Sequence, residues 1–178
     1  MKITDKLTIT NEDCMELMKR YPDNHFELAV IDPPYGINIT SSGSHFKEKY
    51  DIKNWDTKTP SKEFFDELFR VSQNQIIWGG NYFLEHIGNC KCFIIWDKKI
   101  AEDMSFAMCE MAWTSFISGA KIYKTTANQL SRIHPTQKPV ELYKWILRKY
   151  GKPGDKILDT HMGSGSIAIA CHDLKFNL

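Results

Sequence analysis

A short apolar run that stops at a carboxylate and two prolines constrains this chain more than any other feature. Leu28 to Ile31 are apolar, and Asp32, Pro33, Pro34 and Tyr35 follow them directly. The apolar run predicts a buried strand, and the two prolines prevent that strand from continuing. The sequence therefore predicts a rigid shelf at the carboxyl end of a strand. This shelf carries a carboxylate, carbonyl groups and an aromatic ring.

Such a shelf suits a planar base that carries an amino group. The Asp32 carboxylate and the Pro33 carbonyl can accept the two amino hydrogens, and the Tyr35 ring offers a flat face for stacking. A proline-containing turn that only caps a strand is the alternative interpretation. The DPPY motif resembles the catalytic motif of the amino-group DNA methyltransferases, which transfer a methyl group from S-adenosylmethionine to adenine N6 or cytosine N4.

Length and composition are typical of one folded domain. The 178 residues can bury a sizeable core, and the net charge of +1 gives no overall attraction to nucleic acid. Five cysteines without a regular framework fit a reducing compartment. His86, Cys90, Cys92 and Cys109 match no common zinc spacing, so buried thiols are the preferred interpretation and no metal is expected. Without a long apolar segment or a signal peptide, we expect no membrane contact and a cytoplasmic location in a bacterial cell, with a phage gene as an alternative source.

Basic residues are nevertheless unevenly distributed along the chain. Local basic loops can contact phosphates without a high overall charge, so double-stranded DNA is the expected partner. Solvated loops are an equally good interpretation of the same residues. The two basic segments contain Lys47, Lys49, Lys53, Lys58 and Lys62 in the first, and Lys121, Lys124 and Arg132 in the second.

Strand-like and helix-like patterns alternate along the chain. This alternation predicts an α/β fold with a mostly parallel central sheet and helices on both faces. The resemblance implies the Rossmann-like variant found in methyltransferases, formed by residues 1–178 as one domain. The predicted strands are 7–10, 27–31, 75–78, 92–96, 108–116 and 156–159, and the predicted helices begin at Asp13, after Ser61, near Tyr82, at Thr136 and near Ser164.

A second signal is the glycine-rich segment from Asp159 to Ser166. It follows a predicted strand and opens a helix, where glycines let a ligand approach the backbone and free N–H groups are available. The segment resembles the D-P-F-x-G-S-G-T cofactor loop of the same enzymes. The resemblance implies that Asp159, His161, Gly163 and Gly165 bind S-adenosylmethionine. Thr160 and His161 replace the usual proline and phenylalanine of that loop.

A third signal precedes the predicted helix that ends at Tyr150. Residues 134–142 read HPTQKPVEL and resemble the family segment H-x-x-Q-K-P-x-x-L, which contacts the methionine end of the cofactor. The resemblance implies that Thr136, Gln137 and Lys138 bind there, with Lys138 meeting the carboxylate. Thr136 is also predicted as the N-cap of the helix. A capped amphipathic helix without any ligand is the alternative.

Further segments extend the resemblance over almost the whole chain. Asp13 stands in a turn similar to one in which an acid approaches the cofactor's adenine, although a helix-capping role together with Glu16 is at least as well supported. Residues 79–83 and 94–98 are similar to segments around the target-base pocket.

The order of the motifs resembles the β class of these enzymes, because the catalytic motif comes first and the cofactor loop last. The target-recognition region of that class lies between them, and here only residues 117–133 are available. We therefore expect a minimal recognition insert. The alternatives are a short or relaxed recognition sequence, a reader carried on a loop, or a partner subunit that supplies specificity. A homodimer is a further alternative.

The chain ends at Leu178, before the strand that follows the cofactor loop in the family. We therefore expect the fold to lack its C-terminal strand, with a longer protein or an undescribed segment as explanations. Without that strand, residues 7–10 would lack a neighbour in the sheet.

The resemblance implies direct methyl transfer to a flipped-out base, with adenine N6 preferred over cytosine N4 because an aspartate stands first in the motif. The polar loop 36–59, with Trp55, is a candidate lid; a surface loop without a role is the alternative. Two rivals remain at this point. One is an oxidoreductase that binds NAD at the glycine loop, and the other is a catalytically weak cofactor-binding subunit.

Overall fold

A computed structural model of the chain describes residues 3–38, 56–102, 107–126 and 136–178. Some sequence predictions lie outside these residues. They are most of the candidate lid with Trp55, part of the interval 117–133, and the basic residues Lys47, Lys49, Lys53 and Arg132. His134 and Pro135 of the third motif also lie outside them.

The described chain contains a six-stranded sheet with the order β5-β3-β4-β2-β1-β6. β4 is antiparallel to both of its neighbours, and the pairings β1–β2, β1–β6 and β3–β5 are parallel. The predicted α/β class with a mostly parallel sheet is confirmed. The strands are β1 (Leu28–Ile31), β2 (Gln75–Trp78), β3 (Phe93–Asp97), β4 (Cys109–Thr114), β5 (Lys121–Lys124) and β6 (Ile157–Leu158).

Helices cover both faces of the sheet, as the sequence predicts. Alternate residues of β1 face opposite ways: Leu28 and Val30 join one buried cluster, while Ala29 and Ile31 join the other. The first cluster includes α4 (Val140–Tyr150) and α5 (Ser166–Leu174). The second includes α1 (Cys14–Lys19), α2 (Lys62–Val71) and α3 (Leu84–Ile87), the last preceded by a 3₁₀ turn at Gly80–Tyr82.

Asp13 caps the first helix, as its position before an apolar stripe predicts. Its Oδ1 accepts hydrogen bonds from the backbone N–H groups of Met15 and Glu16 at 2.8 and 3.3 Å. These bonds satisfy two donors that lack partners within the helix.

The start of α4 differs from the prediction. The helix begins at Val140 with Pro139 as its N-cap, so the assignment of Thr136 as the N-cap is wrong. Pro139 disfavours helical backbone at the residue before it, which keeps 136–138 outside the helix. The end at Gly151 is as predicted, and a Cβ there would lie 2.8 Å from the Phe176 ring.

The edge of the sheet beyond β6 also differs from the prediction. Residues 7–10 form no strand, and only Thr8 makes a bridge. The backbone N–H of Thr8 donates to Leu178 O, and that of Leu178 donates to Lys6 O, both at 2.8 Å. On the other side, Ile157 N–H donates to Asn177 O at 2.7 Å. The last residues therefore lie between β6 and the N-terminal segment, and the prediction that this segment lacks a neighbour is wrong.

The predicted recognition interval contributes to the sheet. Lys121–Lys124 form β5, which pairs in parallel with β3. The sequence shows only a weak alternation there, with Ile122 exposed and Tyr123 half-buried.

In the part of the chain that the structure describes, no helix has the length and apolar character needed to cross a bilayer. The cytoplasmic location stays a prediction.

Leu68 tests the packing of α2 on the sheet. It is fully buried, so Leu68→Ala should lower the free energy of unfolding by about 2 to 5 kcal/mol through lost burial and a cavity. Leu84→Ala is the matched control, because Leu84 is 52% exposed and its truncation should cost less than about 0.5 kcal/mol. Urea denaturation of both variants measures the difference. Equal costs would contradict the assigned packing.

Candidate active site

Two predicted motifs meet where adjacent parallel strands end. β1 pairs with β6 through Leu28 with Ile157 and Ala29 with Leu158. Asp32 follows the last residue of β1, and Asp159 follows the last residue of β6. The crevice outside the carboxyl ends of parallel strands is the usual ligand site of open α/β sheets.

Hydrogen bonds fix the shelf that follows β1. The Tyr35 hydroxyl donates to Asp32 Oδ1 at 2.6 Å. Asp56, which is buried, accepts from the backbone N–H groups of Tyr35 and Gly36 at 2.8 and 2.9 Å. The aspartate and the aromatic ring of the motif are thus held in one arrangement rather than left free.

Lys138 lies beside this shelf with only 2% of its side chain exposed. Its Nζ is 2.6 Å from Asp32 Oδ2, 3.0 Å from Glu110 Oε2 and 3.2 Å from the Tyr35 hydroxyl. It also lies 5.1 Å from the centre of the Trp78 ring. A buried ammonium is tolerated when its protons find acceptors and its charge is paired. Asp32 and Tyr35 accept hydrogen bonds from Nζ, and Glu110 adds an ion pair.

The charges of this cluster shift the pKa values of its members. Burial alone would lower the pKa of Lys138, but Asp32 and Glu110 raise it. Burial alone would raise the pKa of Glu110, but Lys138 and Lys98 lower it to about 2. Burial, with the Asp32 charge, raises the pKa of Tyr35 well above its ordinary value. At neutral pH Lys138 is therefore an ammonium, Glu110 a carboxylate and Tyr35 a neutral hydrogen-bond donor.

The loop between β6 and α5 has the backbone expected for close ligand approach. Gly163 and Gly165 have φ of 53° and 75°, the left-handed region that favours glycine. A Cβ on Gly165 would meet no atom within 4 Å. Asp159 Oδ1 accepts the backbone N–H of His161 at 3.0 Å, and burial raises the pKa of Asp159 to about 7.

His161 acts as an uncharged ring in this loop. Burial lowers its pKa to about 4, so the imidazole is neutral at pH 7. The ring packs edge-on against Phe64 at 5.5 Å, and its Nδ1 lies 2.8 Å from the Thr160 hydroxyl. A neutral ring retains much of the flat surface of the phenylalanine usual at this position.

A cavity of about 280 Å³ joins the predicted site residues. Five predicted site residues are not among its described lining residues: Pro33 and Tyr35 of the shelf, and Asp13, Asp159 and Gly165 of the cofactor assignment. Asp13 lies at the exposed start of α1. The roles of all the predicted site residues, inside and outside this lining, stay predictions. The lining residues are Asp32, Pro34, Thr136, Gln137, Lys138, Tyr143, His161, Met162, Gly163, Ser164 and Ser166.

The Tyr35 ring packs against the turn after β2. It stacks on Tyr82 with a centroid distance of 5.1 Å and an angle of 16° between the rings. A Cβ on Gly79 would lie 2.2 Å from the Tyr35 ring. The 79–83 segment thus packs against the Tyr35 side of the shelf, and its part in a base pocket stays a prediction.

Two charged residues of this site, Glu110 and Asp56, were not predicted as site residues, and Lys98 was predicted only as the end of the 94–98 segment. Glu110 and Lys98 lie on or beside neighbouring strands, and their carboxylate and ammonium are 2.7 Å apart. Asp56 stands in a polar stretch between Trp55 and Thr57. The one available signal was a glutamate within the otherwise apolar pattern of β4. That signal does not show which residue the glutamate contacts.

The resemblance inferred from the motifs is confirmed by comparison with known proteins. Residues 95–178 match the N6/N4 family model described as DNA methylase. This segment contains Lys98, Glu110 and Lys138 and the whole glycine-rich loop.

Solved structures share the fold over nearly the whole chain. The crystal structure of the M1.HpyAVI–SAM complex has a TM-score of 0.64 and 21% identity, over 94% of this chain and 89% of that one. The putative DNA modification methylase of Thermus thermophilus has a TM-score of 0.58 and 16% identity, over 93% and 84%. The cytosine-N4-specific PvuII DNA methyltransferase has a TM-score of 0.58 and 11% identity, over 91% and 76%.

The chain has the α/β fold of these DNA methyltransferases. Residues 95–178 match the DNA methylase family model, and the remaining described residues complete the same fold.

Gly79 tests how tightly the shelf is packed. Gly79→Ala introduces a Cβ that collides with the Tyr35 ring and adopts a φ of 69°, so it should lower the free energy of unfolding by about 2 to 5 kcal/mol. Gly165→Ala has a similar φ of 75° and open space, so it should cost only about 1 to 2 kcal/mol. Urea denaturation without cofactor measures both. Equal costs would show that Tyr35 does not pack on Gly79.

The raised pKa of Asp159 predicts a pH dependence of stability. Its pKa rises from 3.8 to about 7 on folding, so between these values the folded chain keeps a proton that the unfolded chain has lost. The free energy of unfolding contributed by this group therefore falls as the pH rises. Asp159→Asn removes the effect, and its stability relative to wild type should increase by roughly 2 to 4 kcal/mol from pH 4 to pH 7.

Denaturation series at several pH values measure this difference. The lowered pKa of His161 acts in the opposite direction, but it is present in both proteins and cancels in the comparison. A pH-independent difference between the two proteins would contradict a protonated Asp159 in the folded state.

Proposed function

We propose that this chain is a member of the N6/N4 DNA methylase family and that it transfers a methyl group from S-adenosylmethionine to N6 of adenine in double-stranded DNA. The observation that carries the proposal is the Asp32 carboxylate at the end of β1, opening into the same cavity as the glycine-rich loop after β6. The acceptor for an amino group and the loop for a cofactor thus share one space.

The residues of this cavity fit S-adenosylmethionine. Left-handed glycines bring backbone close to the space, and His161 and Met162 offer uncharged surface. Asp159 is not a described lining residue but accepts a hydrogen bond from the backbone N–H of the lining residue His161, and it is the expected partner for the ammonium of an amino-acid group once it has released its proton. Thr136 and Gln137 add polar groups to the lining. When bound, the cofactor supplies a methyl group on a sulfonium centre, which is an electrophile that needs no metal.

Asp32 retains the capacity to bind an amino group. A carboxylate offers about four lone pairs, and the contacts with Tyr35 and Lys138 occupy two of them. The amino nitrogen of a base is a poor nucleophile because its lone pair is delocalised into the ring. Acceptors that bind the amino hydrogens favour the pyramidal nitrogen of the transition state, and Asp32 can accept the proton that the nitrogen loses.

A base within a duplex cannot approach this recessed carboxylate, so the target base leaves the helix before reaction. Tyr35 and Tyr82 already stack on each other at the shelf, and Tyr82 is 44% exposed. Aromatic rings at such a rim offer a surface for an unpaired base. Recognition assisted by a second copy or a specificity subunit stays a prediction.

Labelled methyl transfer tests the proposal. The protein is incubated with DNA and methyl-labelled S-adenosylmethionine, and the DNA is digested to nucleosides that are separated by chromatography. Label in N6-methyladenosine is expected. Label only in N4-methylcytidine would overturn the choice of base, and bound cofactor without any labelled nucleoside would support a cofactor-binding subunit instead.

Asp32→Asn tests the assigned acceptor. An amide oxygen is a weaker acceptor than a carboxylate and takes no proton, so kcat should fall by about a hundredfold or more. The matched control is Asp66→Asn, because Asp66 pairs only with Lys62 on the surface of α2 among its described contacts. Its kcat should equal that of wild type. Full activity of Asp32→Asn would exclude Asp32 as the acceptor.

A further inference from the structure

Glu110 lies between two lysines at the end of the active-site shelf. Its carboxylate is 2.7 Å from Lys98 Nζ and 3.0 Å from Lys138 Nζ. Lys138 in turn binds Asp32 at 2.6 Å. The order Lys98, Glu110, Lys138, Asp32 forms a chain of alternating charge, which we call the charge chain.

The charge chain is balanced and mostly buried, with side-chain exposures from 2% at Lys138 to 22% at Glu110. It contains two ammonium groups and two carboxylates, and Lys138 at its centre is almost completely buried. Aromatic rings lie beside both cations: Trp96 is 5.4 Å from Lys98 Nζ, and Trp78 is 5.1 Å from Lys138 Nζ. In such surroundings the attraction between charges is much stronger than at the surface, so each member affects its neighbour.

Lys138 therefore affects how strongly Asp32 can accept another hydrogen bond. A cation whose only carboxylate partner is Asp32 would draw electron density from it and weaken it as an acceptor. Glu110 competes for the same ammonium, since its Oε2 lies only 0.4 Å farther from Nζ than Asp32 Oδ2 does (3.0 against 2.6 Å). Lys98 keeps Glu110 ionised in this role.

We propose that Glu110 is a positioning residue for methyl transfer, which shares the Lys138 ammonium and so leaves Asp32 oriented and free to accept hydrogens from the substrate amino group. The inference rests on the proposed function and adds a residue on β4 to it. It also places Lys138 with the shelf, as a partner of Asp32.

Three variants test the inference. Glu110→Gln keeps the shape of the side chain and removes its charge, which leaves one surplus cation. Lys98→Met combined with Glu110→Gln removes one charge of each sign, so the net charge of the charge chain returns to zero. Glu141→Gln is the matched control, because Glu141 is 62% exposed and pairs with Lys144 on the surface of α4.

The readouts are kcat, the dissociation constant of S-adenosylmethionine by calorimetry, and the midpoint of urea denaturation. For Glu110→Gln, kcat should fall by about 10- to 100-fold, with the cofactor dissociation constant unchanged within about twofold. The double variant should regain the denaturation midpoint and retain the low kcat, because Asp32 is then the one carboxylate left to Lys138 among the described residues. Glu141→Gln should match wild type in all three.

Several outcomes would overturn the inference. One is wild-type kcat in Glu110→Gln; another is recovery of kcat together with stability in the double variant, which would make Glu110 a purely structural residue. A rise of about tenfold or more in the cofactor dissociation constant would instead assign the network to cofactor binding. Failure of the proposed function can be distinguished from failure of this inference, because the wild-type protein itself would then label no nucleoside.

Discussion

The parallel pairing of β1 with β6 is the constraint on which the rest of the site depends. The two strands are about 130 residues apart in sequence, yet Leu28 lies beside Ile157 and Ala29 beside Leu158. Because parallel strands end at the same edge, this register brings the Asp32 shelf and the glycine-rich loop to one crevice. On its own, the Asp32 shelf would be only a capped strand, and the glycine-rich loop would be only a loop of the phosphate-binding kind. Neither motif alone would carry out a reaction.

Burial of Lys138 connects that crevice to the antiparallel part of the sheet. Its ammonium joins the segment before α4 to Asp32 after β1 and to Glu110 on β4. A buried charge that loses one partner commonly costs about 3 to 5 kcal/mol, so these segments stabilise one another. The same contacts hold the Asp32 carboxylate, which is the proposed acceptor, so the stability of the fold and the geometry of the candidate site depend on the same residues.

Sequence patterns predicted the elements whose signal is local. β1 and β2 are apolar runs ended by turn residues, and Asp13 precedes an apolar stripe, so each was placed within a residue or two. The start of α4 was misplaced because the capping preference of Thr136 is weaker than the restriction imposed by Pro139. β5 was missed because an edge strand with exposed Ile122 needs no continuous apolar pattern.

The charged residues around the site could not be predicted in the same way. Asp32, Thr136, Gln137, Lys138 and His161 were found because they stand in motifs, and the structure brings them to one cavity. The role of Glu110 exists only because β4 inserts between β2 and β3, which sets it near Lys138, 28 positions away in sequence. The sequence around Glu110 does not show which distant residue its side chain will contact.

Under the proposed function, we expect the choice between adenine and cytosine to depend on the walls of the site as well as on Asp32. Both bases present an exocyclic amino group, and a carboxylate that accepts its hydrogens binds either one. What differs is the size of the ring behind that amino group. The described aromatic wall beside Asp32 is Tyr35, which stacks on Tyr82 and packs against Gly79. We therefore expect the segment after β2 to contribute to discrimination by ring size and the segment after β1 to carry the proposed chemistry.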